Sequence, residues 1–122
     1  MERDRASAGR EGEALAEAHL IREGYEVLAR NFSCRHGELD LVVGRAALIV
    51  VVEVRLRSSA VWGDPSHTIS RAKQRRVVKA TLHFLRAHGL FDRMVRFDVI
   101  SIVGRREAAT LEHLPDAFDA GM

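Results

Sequence analysis

Residues 37–57, GELDLVVGRAALIVVVEVRLR, form the pattern on which the predicted fold of this chain rests. Two runs rich in valine and leucine, 38–43 and 48–56, are separated by the four residues Gly44 to Ala47. Strand-forming residues dominate both runs, and the connection is short enough to force a hairpin. The stretch therefore predicts two antiparallel strands, with Gly44 and Ala47 paired across a two-residue turn.

The first strand of this hairpin carries two carboxylates. Glu38 and Asp40 are two residues apart, so the alternation of side chains places them on one face. Leu39 and Leu41 then take the opposite face. In the predicted register, Glu38 faces Glu53 of the second strand, and Asp40 falls opposite a valine at position 51.

The second strand has one charged and one apolar face. Glu53, Arg55 and Arg57 alternate with valine and leucine, so these charges share a face with the carboxylates of the first strand. Carboxylates that crowd one face repel one another, and a hard divalent cation with oxygen ligands is the usual remedy. The alternative is that these acids meet solvent at the strand ends or pair with Arg55 and Arg57.

The remaining periodic segments complete an α/β pattern. Helical spacing follows residues 9–23, with Ser7 as a candidate N-cap, and residues 25–31 alternate as a strand. A second helix from Ser70 to His88, ended by Gly89, precedes a strand over 94–103. Residues 57–69 are predicted to form a surface loop, and 110–114 an edge strand. The order α-β-β-β-α-β predicts an α/β sandwich with a mixed sheet, because a β-α-β connection is a parallel crossover.

Length and composition indicate one domain in a reducing compartment. The chain has 122 residues, 47% of them hydrophobic, which predicts a single domain with a core over about 9–103 and a loosely packed tail over about 104–122. The longest apolar run, residues 46–52, is too short to cross a membrane. The first residues lack the apolar region of a secretory signal, and Cys34 is a single cysteine. We therefore expect a cytoplasmic protein with no membrane partner.

Positive charge is concentrated in one segment. Residues 71–96 hold eight Lys and Arg residues against Asp92 alone, whereas the whole chain has a net charge of only +2. This asymmetry favours a surface that faces a polyanion such as nucleic acid. The alternative is a solvated basic helix face.

Several familiar chemistries are excluded by the absence of their motifs. The sequence has no P-loop, no GxGxxG, no GxSxG, no CxxC and no HExxH. What remains is a set of acids suited to a metal ion, followed by cations suited to phosphate. That is the general layout for metal-assisted phosphodiester hydrolysis.

A set of motifs in fixed order identifies a family resemblance. They are Gly12-Glu13, ARNF (29–32), HGELDLV (36–42), VVEVRLRSS (51–59), GDP (63–65), RAKQRR (71–76) and RFDVISI (96–102). Over about residues 9–103 the chain resembles the YraN-like family of small bacterial proteins. That family is similar to the PD-(D/E)xK, restriction-endonuclease-like fold, whose α-β-β-β-α-β core matches the order above.

The resemblance implies roles for particular residues. Asp40 corresponds to the motif aspartate, Glu53 to the acid that follows it, and Glu13 to a first-helix glutamate that approaches the metal, Mg²⁺ or Mn²⁺. Lys73 and Gln74 fall where related nucleases place auxiliary polar residues. The motif lysine is replaced by Arg55, which can clamp a phosphate but cannot accept a proton from water.

Three hypotheses follow for function. The first is a Mg²⁺-dependent nuclease acting on DNA, with Asp40 and Glu53 on the metal, Glu13 and Glu38 assisting, and Arg55 on the scissile phosphate. Its backbone contacts would come from Arg57, Arg71, Lys73, Gln74, Arg75, Arg76 and Lys79. The second is a binding module for branched or single-stranded nucleic acid that does not cleave, and the third is a scaffold that docks an acidic protein. The resemblance to resolvases adds branched DNA as a substrate and a homodimer as the expected assembly.

Overall fold

The structure, a computed structural model, describes residues 2–57, 69–104 and 106–120, and their side chains from residue 9 onward. Within these residues, two helices and five strands follow one another, with a short 3₁₀ turn before the last strand. They are α1 (Glu2–Arg22), β1 (Glu26–Cys34), β2 (Gly37–Arg45), β3 (Leu48–Arg57), α2 (Arg71–His88), β4 (Met94–Val103), the turn Arg106–Ala108 and β5 (Thr110–Phe118).

The five strands form one mixed sheet in the order β1-β2-β3-β4-β5. Neighbouring strands are antiparallel except β3 and β4, which are parallel and are joined through α2. This confirms the predicted α-β-β-β-α-β core of restriction-endonuclease type.

Each face of the sheet carries its own helix and its own apolar cluster. Ala16 and Leu20 of α1 pack with Val50 and Val52 of β3 on one side. On the other side, α2 packs with the alternate residues of the same strand. That cluster contains Ile49, Val51, Val77, Ala80, Phe84 and Phe97. The apolar alternation of β3 thus fixes a three-layer arrangement, and within the described ranges neither helix is long and apolar enough to cross a membrane.

Both predicted ends of α2 are confirmed. The Ser70 hydroxyl accepts a hydrogen bond from the Lys73 backbone N–H at 3.1 Å. Gly89 adopts the left-handed conformation at φ 65° and closes the helix. The predicted Ser7 cap of α1 is wrong, because the helix already begins at Glu2. Residues 2–8 are mostly Glu, Arg and Ala, which favour helix, and contain no glycine or proline to stop it.

The predicted register of the β2–β3 hairpin is wrong by two residues. Arg45 pairs with Leu48, so the turn is Ala46-Ala47, and Val51 faces Val42 rather than Asp40. Gly44 is therefore a strand residue and not a turn residue. A Cβ atom there would lie 3.1 Å from Leu28 Cδ1 of β1, so the glycine accommodates a packed side chain.

The predicted shared face of Leu39 and Leu41 is also wrong. Leu41 packs in the cluster with α1, whereas Leu39 packs in the cluster with α2. Strand β2 therefore changes face between these two residues, at Asp40.

The C-terminal strand is longer than the predicted edge strand 110–114. Strand β5 continues to Phe118, whose ring stacks on Phe97 at 5.0 Å between centroids. The segment expected to be a loose tail thus contributes an ordered edge strand. Most of the predicted surface loop, residues 58–68 with the GDP motif, lies outside the described residues.

A buried carboxylate ties β5 to the sheet. Asp98 of β4 is fully buried and accepts two hydrogen bonds from Arg96, at 2.8 and 2.9 Å. His113 Nε2 of β5 lies 2.7 Å from Asp98 Oδ2, and the Asp116 backbone N–H donates to Oδ1 at 2.9 Å. A second histidine, His19 of α1, lies 3.0 Å from His113 and extends the network to the helix layer.

Candidate functional site

Asp40 lies where β2 and β3 stop pairing. The last paired residues are Leu41 and Val52. Beyond them, the Asp40 side chain replaces a backbone carbonyl as hydrogen-bond acceptor. Its Oδ2 accepts a hydrogen bond from the Val54 backbone N–H at 2.8 Å. This bond holds the Asp40 carboxylate beside Glu53, which lies between Val52 and Val54 in β3.

Glu53 is almost fully buried, at 1% exposure. It accepts a hydrogen bond from the Asp40 backbone N–H, and Lys73 Nζ of α2 lies 3.6 Å from its Oε1. Among the described residues, its other oxygen, Oε2, has no hydrogen-bond partner. A buried carboxylate oxygen left in that state is costly, which points to a ligand that completes it.

The electrostatics of the pair disfavour two negative charges. Burial, followed by repulsion from Asp40, raises the pKa of Glu53 to about 8, although Lys73 acts in the opposite direction. Burial also raises the pKa of Asp40. The Val54 N–H and Lys73 act to lower this pKa, whereas repulsion from Glu38 raises it further. Two coupled carboxylates that resist ionisation together form a site that a cation would stabilise.

Helix α1 brings Glu13 to the same region. A Cβ atom at Gly12 would overlap Leu56 Cδ2 of β3, so the glycine leaves room for this leucine side chain where the helix meets the strand. The pKa of Glu13 is raised by burial and then by Asp40, with a smaller contribution from Glu38. Asp40 therefore contributes to the raised pKa values of both Glu13 and Glu53, and Glu38 contributes to those of Glu13 and Asp40.

The donor set can be compared with what a metal requires. In the described part of the chain, no group of three or more His, Cys, Asp or Glu side chains is placed to hold a metal ion. Mg²⁺ is usually held by one or two carboxylates, with waters and substrate phosphates completing the octahedron. Asp40 and Glu53, all-oxygen donors with one unpartnered buried atom, fit that requirement, and Glu13 stands outside the pair.

The predicted cations divide into two groups. Lys73 points from α2 to Glu53, and Arg55 is half-buried two residues along β3 from the same acid. The others lie on the outer part of α2, where all four are exposed. They are Arg71, Arg75, Arg76 and Lys79.

Two further predicted contacts have different surroundings. The Gln74 amide donates to the Ile69 carbonyl at 2.8 Å, so it is engaged in holding the chain before α2. Arg57 is half-buried at the end of β3.

Comparison with known proteins gives the family. The model of Uncharacterised protein family UPF0102 matches residues 12–102. A UPF0102 protein of Myxococcus xanthus strain DK1622 is 58% identical over 119 residues, covering 98% of this chain and 94% of the relative. The chain belongs to family UPF0102. This confirms the predicted membership of the YraN-like family.

More distant relatives match over the same extent. A UPF0102 protein of Methylobacillus flagellatus is 45% identical over 112 residues, covering 92% of this chain and 96% of the relative. One from Geobacter metallireducens is 42% identical over 113 residues, with 93% of each chain covered. Each of these matches covers more than nine-tenths of this chain.

Sequence reasoning missed Asn31 as a site residue of this family member. Its side chain forms a hydrogen bond with Glu13, and its backbone has a positive φ of 51°. Asparagine is enriched at positive φ, but such residues are common in turns, and nothing in the alternation of residues 25–31 indicates one within a strand.

Proposed function

We propose that this protein is a metal-dependent nuclease that hydrolyses phosphodiester bonds in DNA. The observation that carries the proposal is the pairing of half-buried Asp40 with buried Glu53. One oxygen of Glu53 has no hydrogen-bond partner among the described residues, and the Lys73 ammonium borders the pair. Acids for a metal and cations for a phosphate then lie within one site.

Asp40 and Glu53 would hold Mg²⁺ or Mn²⁺ through their carboxylates, with Glu13 and Glu38 acting from outside the pair through water. The bound ion supplies an activated water and charge stabilisation at the leaving oxygen. The Val54 N–H and the Asp40 N–H fix the two carboxylates in place before any substrate arrives. Such preorganisation is what electrostatic catalysis requires.

Arg55 and Lys73 are assigned to the phosphate. In hydrolysis, the water oxygen forms a bond to phosphorus as the ester P–O bond breaks. The water releases a proton to solvent, and the departing oxygen takes one up. Negative charge builds on the phosphate oxygens meanwhile, and fixed cations stabilise it. Arginine suits this task because its planar fork can bind two phosphate oxygens.

The outer face of α2 is proposed to hold the nucleic-acid backbone. Arg71, Arg75 and Lys79 recur every four residues, so they form one row along the helix. Helix α2 contains no acidic residue, and these side chains are exposed. A row of cations spaced along a helix suits contacts with phosphates rather than bases.

A cleavage panel tests the proposal. Duplex, single-stranded, flapped and four-way DNA, together with RNA, would be incubated with Mg²⁺, Mn²⁺ or EDTA. Glu53→Gln is the matched control, because it keeps the shape of the side chain and removes the charge. Metal-dependent cleavage of at least one DNA that Glu53→Gln lacks is expected. Sedimentation with and without the four-way DNA tests the proposed homodimer.

One observation favours a second candidate. Arginine at position 55 cannot relay a proton, so the site can be built for binding without hydrolysis. In that case the protein would bind DNA in a salt-dependent way and leave every substrate of the panel intact with either metal. Tight binding without cleavage would therefore replace the nuclease by a nucleic-acid-binding module.

A further inference from the structure

Asn31 has an unusual backbone conformation for a residue within a strand. It lies inside β1, yet its φ of 51° places it in the left-handed region. Residues other than glycine rarely adopt this backbone conformation, and asparagine is among those that tolerate it best. A strained backbone in a strand is a reason to look for function nearby.

This conformation coincides with a change of face in both strands. Ala29 and Phe32 are three residues apart, yet both pack against the cluster beneath α2. Directly across, Leu39 and Val42 are also three apart and also share that cluster. Regular strands place residues three apart on opposite faces, so β1 and β2 both switch within these intervals.

The switch occurs beside the candidate site. Arg30 pairs with Leu41 and Phe32 with Leu39, which puts Asn31 opposite Asp40. The switch in β2 aims the Asp40 side chain toward β3, where it accepts the Val54 N–H. The backbone of Asn31 and the placement of Asp40 thus belong to one local distortion.

The side chain of Asn31 faces a second acid of the site. It is hydrogen bonded to the Glu13 carboxylate, an acceptor, so the Asn31 amide donates. Both residues line a cavity of about 200 Å³ between α1 and β1, together with Leu41. One asparagine therefore contacts Glu13 through its side chain and faces Asp40 through its backbone.

We propose that Asn31 is a positioning residue, whose left-handed backbone places Asp40 and whose amide orients Glu13 for metal binding. The inference rests on the proposed function for the meaning of the site, but it concerns a residue that the proposed function does not use. Outer residues that orient metal ligands typically change metal affinity or activity by about 10- to 100-fold.

Two substitutions separate the backbone role from the side-chain role. Asn31→Gly keeps the left-handed conformation and removes the amide, whereas Asn31→Ala removes the amide and disfavours the conformation. Ala46→Gly is the matched control, because Ala46 also has a positive φ, of 55°, but lies in the turn at the other end of the β2–β3 hairpin. The readouts are Mn²⁺ affinity by electron paramagnetic resonance, Tm, and kcat and KM on a DNA from the panel.

Asn31→Gly is expected to keep the wild-type Tm and KM while Mn²⁺ affinity and kcat each fall by about tenfold or more. Asn31→Ala should lose Tm as well, and Ala46→Gly should match the wild type in Mn²⁺ affinity and kcat. Wild-type Mn²⁺ affinity in Asn31→Gly would overturn the inference, whether or not the protein cleaves DNA. If the wild type binds Mn²⁺ but cleaves nothing, the nuclease proposal fails and the Mn²⁺ affinities still decide the role of Asn31. A wild type that binds no Mn²⁺ would overturn both.

Discussion

The ammonium nitrogen of Lys73 lies 3.6 Å from Oε1 of Glu53, so a cation from α2 meets the buried acid of β3. The Lys73 side chain is 40% exposed and the Glu53 side chain only 2%, so the lysine approaches from the solvent side. The positive charge of Arg55, in the tripeptide 53–55, is thus accompanied by that of Lys73 from α2. The proposed function assigns both cations to the phosphate, and substitution can separate their roles.

Arg55 is expected to stabilise charge without transferring a proton. Arg55→Ala should lower the cleavage rate by about 100-fold or more, because one fixed charge on the transition state is lost. Arg55→Lys should preserve or raise the rate. Single-turnover cleavage of the panel's best substrate measures this. Equal trace rates in wild type and Arg55→Ala, with activity in Arg55→Lys alone, would remove Arg55 from catalysis.

Asp40 and Glu53 are expected to couple metal binding to stability. At a hundredfold excess over its Kd, a bound ion raises the free energy of unfolding by about 2.7 kcal/mol. Mg²⁺ or Mn²⁺ should therefore raise the Tm of the wild type and leave that of Asp40→Asn unchanged. Thermal melts with metal and with EDTA measure both. If millimolar metal leaves the Tm of both proteins unmoved, the assigned site is wrong.

The pKa of Glu53 gives the metal-free protein a pH-dependent stability. Burial and repulsion from Asp40 raise this pKa to about 8 from an ordinary 4.5. Between those values the folded protein keeps a proton that the unfolded chain releases, so stability is full below the lower value and is lost as the pH rises toward the higher one. Urea unfolding in EDTA across this interval should show that loss in the wild type. Glu53→Gln should show less of it, and identical slopes would argue against a protonated Glu53.

Metal binding should follow the same pKa with the opposite sense. A carboxylate must lose its proton before it binds a cation, so Mn²⁺ affinity should increase as the pH rises toward about 8. Lys73→Ala removes a group that lowers the pKa of Glu53, so it should move this rise to higher pH. Calorimetric titrations at several pH values measure the shift. A Lys73→Ala profile that coincides with the wild type would place Lys73 outside the electrostatics of the site.

The exposed cations of α2 are expected to contribute most of the affinity for DNA. Arg71→Ala, Arg75→Ala and Arg76→Ala should each weaken binding to all sequences alike and reduce the salt slope by about 1. The combined triple variant should lose these contributions together. A control triple variant of exposed arginines elsewhere, Arg22, Arg93 and Arg106 to alanine, changes the net charge equally. Fluorescence anisotropy over a salt series compares them, and equal affinities for the two triple variants would refute the assignment.

The buried Asp98 network is expected to hold β5 to the sheet. Asp98→Ala removes the acceptor for Arg96, His113 and the Asp116 N–H, and should cost about 3 kcal/mol because these groups lose a buried charge partner. Asp92→Ala is the comparison, since Asp92 is 79% exposed and its ion pair with Arg93 is worth little. Urea unfolding measures both, and a similar small effect of the two changes would contradict the role of the network.

Local sequence specifies most of the helices and strands and indicates the candidate residues of the site. Both ends of helix α2 are predictable from sequence, because Ser70 and Gly89 cap the helix through hydrogen bonds to residues only a few positions away. The apolar and charged faces of β3 followed from alternation alone, since this strand is regular along its length. Glu13, Asp40 and Glu53 were named from motifs in fixed order, because a motif specifies residue types and spacing.

How these elements meet depends on packing in three dimensions. A register shift of two residues leaves every side chain on its original face, and both registers of the hairpin place apolar residues of β3 opposite Leu41, Val42 and Val43. The sequence pattern therefore does not show whether Gly44 is a turn residue or a strand residue packed against Leu28. The face switch at Asn31 and Asp40, and the approach of Lys73 to Glu53, join residues of different elements. Such contacts depend on packing across the sheet, and local periodicity along the chain carries no information about them.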